Sequence, residues 1–272
     1  MQNPDRLPVR NSTDSEQIST PPLVNVEALG ASLDQVLSRR NAAKTEIGGQ
    51  FPLFREPLFR LTPSTFLKIS MLSIDEAKQE VRKRIEEAAG RGYDRYRYLR
   101  NSASTALVDG ASLGTLRDKA KKIKNDYERR DTLFGLVRFW RWLRSSGAKG
   151  AHKLKSLLWI SPNRLFAVRV RPEAGFMCEG ELRTVTIYNT RSPSLDAAFA
   201  KVGALLIEEA YAQAGQGLKY NHELLALRNV QSYVVGEEER AAVRIQLIKA
   251  INTIELLALE IVDELESASP PG

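Results

Sequence analysis

Between Arg164 and Val235 the spacing of apolar residues changes from every second position to a helical period and back again. Leu165-Phe-Ala-Val-Arg-Val-Arg171 and Glu181-Leu-Arg-Thr-Val-Thr-Ile-Tyr188 both alternate, and Gly180 breaks the chain between them. Alternation suits a half-buried strand, because successive side chains point to opposite faces. Asn189-Thr-Arg-Ser-Pro193 is a turn cluster, and Ser194 is placed to cap a helix carrying Phe199, Val202, Leu205, Leu206 and Ala210. The run Glu223 to Val235 then returns to strand character. This order predicts strands over 165–171, 181–188 and 224–235 in one sheet, with a helix over 194–213 crossing between the last two.

The net charge of +7 is unevenly divided. From Arg82 to Lys155 there are 20 Lys or Arg against 8 Asp or Glu, a balance of +12. From Pro172 to the end there are 8 against 15, a balance of −7. A concentrated positive field draws in polyanions, which makes DNA or RNA the leading partner class. The competing reading pairs these basic helices with the chain's own acidic C-terminal part.

Within the basic region, Tyr93-Asp-Arg-Tyr-Arg-Tyr-Leu-Arg100 interleaves aromatic and guanidinium groups, both of which stack on bases. A single helix is expected over 115–145, opened by Thr115-Leu-Arg-Asp118 in capping-box style. Its apolar stripe would be Leu116, Ala120, Ile123, Tyr127, Phe134 and Val137, turned to the core. The phosphate contacts expected from the region are Arg95, Arg97, Lys121, Lys122, Lys124, Arg129 and Arg130. Ser145 to Ser156 reads as a flexible basic loop.

Residues 1–24 are polar and poor in large apolar groups, so they are expected to stay disordered. An extended and helical region over 25–112 and an α+β core over 113–266 follow, with a disordered tail over 267–272. Phe51 to Pro63, rich in Phe, Pro and Arg, is expected to strap across the domain. The last helix should begin after Gly236 and present a wide apolar stripe including Val243, Leu247, Ile251, Ile254, Ala258, Ile261 and Leu265, broadened by Ile245 and Ile248. Such a stripe suits the core, or a protein partner or second copy. Apolar runs are far short of the ~20 residues of a membrane helix, and the N-terminal residues lack a signal-like apolar segment. With one cysteine, Cys178, no internal disulfide can form, and a reduced cytoplasmic setting is expected. The two histidines, His152 and His222, lie far apart without nearby Cys, so no zinc site is assigned, and no cofactor is expected.

The strand–strand–helix–strand order resembles the core of the PD-(D/E)XK nuclease superfamily, in the RecB-like style. Members carry an acid after one strand and acid-x-Lys on the next. Aligned that way, Glu173 takes the first acid. Val185-Thr-Ile-Tyr-Asn-Thr190 stands where an active member would read like Val-Val-Asp-Tyr-Lys-Thr. Ile187 then occupies the metal-binding acid and Asn189 the lysine. Metal-assisted phosphodiester hydrolysis needs hard oxygen ligands, and one carboxylate holds Mg²⁺ poorly. The resemblance covers about a quarter of the chain and implies a restriction-nuclease-like core without cleavage, in DNA processing, mobile elements or defence.

The expectation is therefore an α+β protein, a basic helical region followed by a small mixed sheet flanked by long helices. Its function is read as non-catalytic nucleic-acid association through the basic region. A protein-interaction or regulatory component is the alternative. A second alternative is an active metal-dependent nuclease using Glu173 with acids such as Glu128 or Asp131.

Overall fold

The computed structural model describes residues 56–87, 96–216 and 220–268. The arm expected over 1–24 and the candidate Arg95 lie outside them. The architecture is α+β, with seven helices and two mixed sheets among the described residues.

Strand β1 (Phe59–Leu61) leads into α1 (Pro63–Ser70) and α2 (Ile74–Glu87). Helices α3 (Arg97–Asp109), α4 (Leu113–Lys121) and α5 (Asp126–Ser145) follow. Strands β2 (Lys149–His152), β3 (Leu157–Ile160), β4 (Phe166–Val170), β5 (Ala174–Cys178) and β6 (Glu181–Tyr188) come next. Helix α6 (Ala197–Gln213), β7 (Asn221–Ala226), β8 (Gln231–Tyr233) and α7 (Glu237–Ala268) complete the chain. No described helix is long and apolar enough to cross a membrane.

The larger sheet has the order β2-β5-β6-β7-β8. β6 and β7 are parallel, with Ile187 opposite Leu225. Parallel neighbours need a long crossover, and α6 supplies it. The smaller sheet, β1-β4-β3, pairs β1 parallel to β4. The strap over 56–63 thus enters a sheet, and Phe59 is buried against Phe166. β1, from before the expected 112/113 boundary, shares its sheet with β3 and β4 from after it.

The larger sheet separates two cores. Val185, Ile187 and Leu225 pack beneath α3, α4 and α5 with Leu99, Leu136 and Phe139. Tyr188, Leu224 and Ala226 pack on the other side with α6 and α7. Because both faces are covered, β6 is not half-buried at its C-terminal end. Thr184 and Thr186, polar in the alternating pattern, are also buried.

Several local expectations are corrected. The strand at 165–171 forms, as β4, but in the smaller sheet; the chain crosses between sheets at Glu173. The strand beside β6 is β5, whose Ala-Gly-Phe-Met-Cys sequence shows no clean alternation because it too is covered on both sides. The strand expected over 224–235 is a hairpin, broken by a turn in which Val230 adopts φ 57°. The helix after the turn cluster is capped by Asp196, whose carboxylate accepts from Phe199 N at 2.8 Å, rather than by Ser194. The loop expected over 145–156 contains edge strand β2. The helix at 115–145 is two helices, and this break reshapes the basic face.

Candidate nucleic-acid interface

Ser112, not Thr115, starts α4: its hydroxyl accepts from Thr115 N at 3.2 Å. Lys122 N and Ile123 N fold back onto the Lys119 and Ala120 carbonyls and end the helix. Asn125 then caps α5, its Oδ1 accepting from Glu128 N at 3.0 Å. The turn changes the helical phase. Leu116, Ala120 and Ile123 are buried as expected. Tyr127, Phe134 and Val137 are not, with exposures of 69%, 60% and 43%. The inner face of α5 instead carries Glu128, Asp131, Thr132, Gly135, Leu136, Phe139 and Trp142. Gly135 leaves room there for Leu99, since a Cβ would lie 2.6 Å from Leu99 Cδ2. Trp142 Nε1 donates to Glu223 Oε1 at 3.1 Å and to Ser232 Oγ at 2.9 Å, pinning α5 to the sheet.

The cations expected to contact phosphate divide into two groups. Arg129 is committed to the α4–α5 turn: Nη1 donates to the Ile123 carbonyl at 3.0 Å and Nη2 to Asp126 Oδ1 at 2.6 Å. Lys121 pairs with Asp118 at 2.8 Å, and that hydrogen bond holds the Asp118 carboxyl below its usual range. Lys122, Lys124 and Arg130 are exposed, and no carboxylate among the described residues forms an ion pair with them. Arg97 is exposed at the start of α3, the helix packed on α5. Sequence reasoning missed Arg141 and Arg144, which are also exposed without a carboxylate partner among the described residues. Their signal was present, since both fall on the same side of α5 as Arg130 and Phe134 once the helix is phased from Asn125.

The acidic C-terminal helix faces elsewhere. Lys78 pairs with Glu260 at 3.0 Å and Glu264 at 2.8 Å, and Arg82 also pairs with Glu264, joining α2 to α7. Arg240 reaches Glu208 at 2.6 Å, Arg244 reaches Glu209 at 2.8 Å, and Lys201 pairs with Glu239, joining α6 to α7. Glu237, Glu239, Glu260 and Glu264 of α7 are thus paired on the far side of the larger sheet from α4 and α5.

Glu173 sits where the chain passes between sheets, with a side chain only 1% exposed. Oε1 accepts from Arg100 Nε at 2.8 Å, and Oε2 accepts from Ile187 N at 2.8 Å. The carboxylate thereby supplies the bond that β5, starting at Ala174, does not extend far enough to make. Burial pushes the Glu173 carboxyl upward, while Arg100 and the backbone amides oppose that shift. Asp131, on α5, pairs with Arg191 at 2.7 Å. No group of three or more His, Cys, Asp or Glu among the described residues is placed to hold a metal ion.

The two histidines, far apart in sequence, lie in one cluster that is buried at His222 and Tyr211 and half-buried at His152 and Tyr220. His222 Nδ1 bonds Thr184 Oγ1 at 2.9 Å, its ring lies 4.4 Å from Tyr211, and Tyr220 OH lies 3.3 Å from His152 Nε2. Burial holds the His222 imidazole down, at about 4. Burial, then Tyr220, pushes the Tyr211 hydroxyl up to about 12.

No family model matches the chain, and a search of curated proteins finds no match.

Proposed function

We propose that this chain is a non-catalytic nucleic-acid-binding protein that grips the phosphate backbone with the outer face of α4 and α5. The observation that carries this reading is the contrast in pairing. Lys78 and Arg82 of α2, Lys201 of α6 and Arg240 and Arg244 of α7 meet carboxylates across helix interfaces, whereas Lys122, Lys124, Arg130, Arg141 and Arg144 meet none among the described residues. A cation held in solvent without an internal counter-charge is free to displace counterions from a phosphate backbone.

The nuclease-like core belongs to the same reading. It is supported by the order β5, β6, α6, β7, with β6 and β7 parallel. Loss of cleavage is supported by the engagement of Glu173: one oxygen binds a guanidinium and the other a backbone amide. A metal-dependent reaction needs further oxygen ligands there, and Ile187 and Asn189 offer no carboxylate. A protein-interaction role is favoured by Ile245 and Ile248 of α7, which are 54% and 47% exposed.

The test is anisotropy titration with labelled DNA and RNA at ~50 mM salt, with cleavage assayed alongside in Mg²⁺. The expected result is binding without cleavage. Absence of binding to either nucleic acid would remove the proposal and leave the interaction protein. Cleavage abolished in a folded Glu173→Gln variant would restore the nuclease.

A further inference from the structure

The basic face explains attraction to phosphate but not its aromatic content. Tyr127 and Phe134 lie seven residues apart, which places them on one side of α5 about 10 Å apart along the axis. Arg141 continues that row after another seven residues. A second row runs beside it through Arg130, Val137 and Arg144. Residues three and four apart are neighbours on a helix, so Arg130 stands next to both Tyr127 and Phe134. At its C-terminal end the face opens into a cleft of about 450 Å³ between the start of α4 and the last turns of α5. Leu113 and half-buried Trp140 line it together with Arg141 and Arg144.

We propose that this face is a stacking platform for single-stranded nucleic acid, in which Tyr127, Phe134 and Trp140 receive unpaired bases and the interleaved arginines hold the backbone. The inference rests on the proposed function and narrows its ligand. A duplex keeps its base faces stacked on one another, so it presents phosphates to the arginines and nothing to the aromatics. A single strand offers both, and stacking on an aromatic side chain tolerates any base. Charge decides against an ordinary apolar docking face. The stripe is interrupted by the guanidinium groups of Arg130, Arg141 and Arg144. Of the carboxylates close by in sequence, Glu128 and Asp131 point into the protein, and Asp126 is taken by Arg129.

The experiment compares one short labelled oligonucleotide as single-stranded DNA, single-stranded RNA and duplex DNA, at fixed salt. The variants are Tyr127→Ala/Phe134→Ala and Tyr127→Trp/Phe134→Trp, each checked for an unchanged melting profile. The double alanine variant is expected to lose about tenfold or more in single-strand affinity and about twofold or less in duplex affinity. The tryptophan variant is expected to keep single-strand affinity. The DNA and RNA arms show which strand is preferred. Binding in which single strands have no advantage, or in which the alanine variant loses nothing, overturns the platform but leaves phosphate binding standing. No binding in any arm overturns both. A parent that is dimeric while the alanine variant is monomeric assigns the face to a second copy and overturns the platform.

Discussion

On one side of the five-stranded sheet, α6 and α7 pack with α2, and their charges close into pairs that bridge helices distant in sequence. On the other side, α4 and α5 bury a smaller apolar face and leave most of their cations in solvent. Both regions are rich in charge, yet only the first pairs its cations with carboxylates across helix interfaces. The difference is one of topology. The crossover through α6 and the return of α7 carry the chain's acids to the face opposite the basic helices. The positive field over Arg82 to Lys155, a balance of +12, is therefore not cancelled by the acidic C-terminal part, whose balance is −7.

The largest effect is expected where a charge pair is buried. Arg100→Ala leaves Glu173 without its guanidinium in a site almost closed to water. Removing one partner of such a pair costs about 3–5 kcal/mol, to be measured by urea unfolding near neutral pH. A loss below about 1 kcal/mol would mean that Glu173 is solvated and free for other chemistry.

Next comes acid. The folded state holds His222 neutral down to about 4, whereas an unfolded histidine titrates near 6.5. As pH falls below ~6.5 the unfolded chain takes up the proton first, so stability present at neutral pH is progressively lost towards pH 4, by about 2–3 kcal/mol in all. His222→Gln should flatten that segment of the stability–pH curve. An unchanged curve would place the acid sensitivity in the carboxylates of the α2–α7 interface instead.

The surface pairs should matter least. Lys78→Ala/Arg82→Ala should destabilise by about 1 kcal/mol or less, and added salt should shrink the difference. Lys122→Ala/Lys124→Ala should change stability by about half a kcal/mol at most, since neither lysine has an internal carboxylate partner among the described residues. A loss from the second pair equal to that from the first would break the contrast between the two sides.

Much of this was legible in the chain. The β6–α6–β7 unit follows from the change of period, and the start of α7 follows from Gly236 and the acids after it. The charge division marks the basic region from sequence alone. What was not legible came from phase and coverage. A four-residue turn capped by Asn125 rotates α5, moving Tyr127, Phe134 and Val137 outward and bringing Glu128 and Asp131 inward. Strands covered on both sides lose their alternation, which hid β5. The partition of strands between two sheets is a tertiary choice that local spacing does not encode. The role of Glu173 was not legible: the resemblance marked it only as a metal-binding acid, and its partner Arg100 lies 73 positions away.

The most direct test measures nucleic-acid affinity against salt for three proteins: the parent, Lys122→Ala/Lys124→Ala/Arg130→Ala, and Lys78→Ala/Arg82→Ala. Every cation withdrawn from a phosphate should flatten the slope of log affinity against log salt by roughly one unit. The α4–α5 variant is therefore expected to flatten by up to about three units and weaken binding across all sequences, while the α2 variant keeps the parent slope. Equal slopes for all three proteins, or flattening only in the α2 variant, would contradict the assignment of the open cations to phosphate.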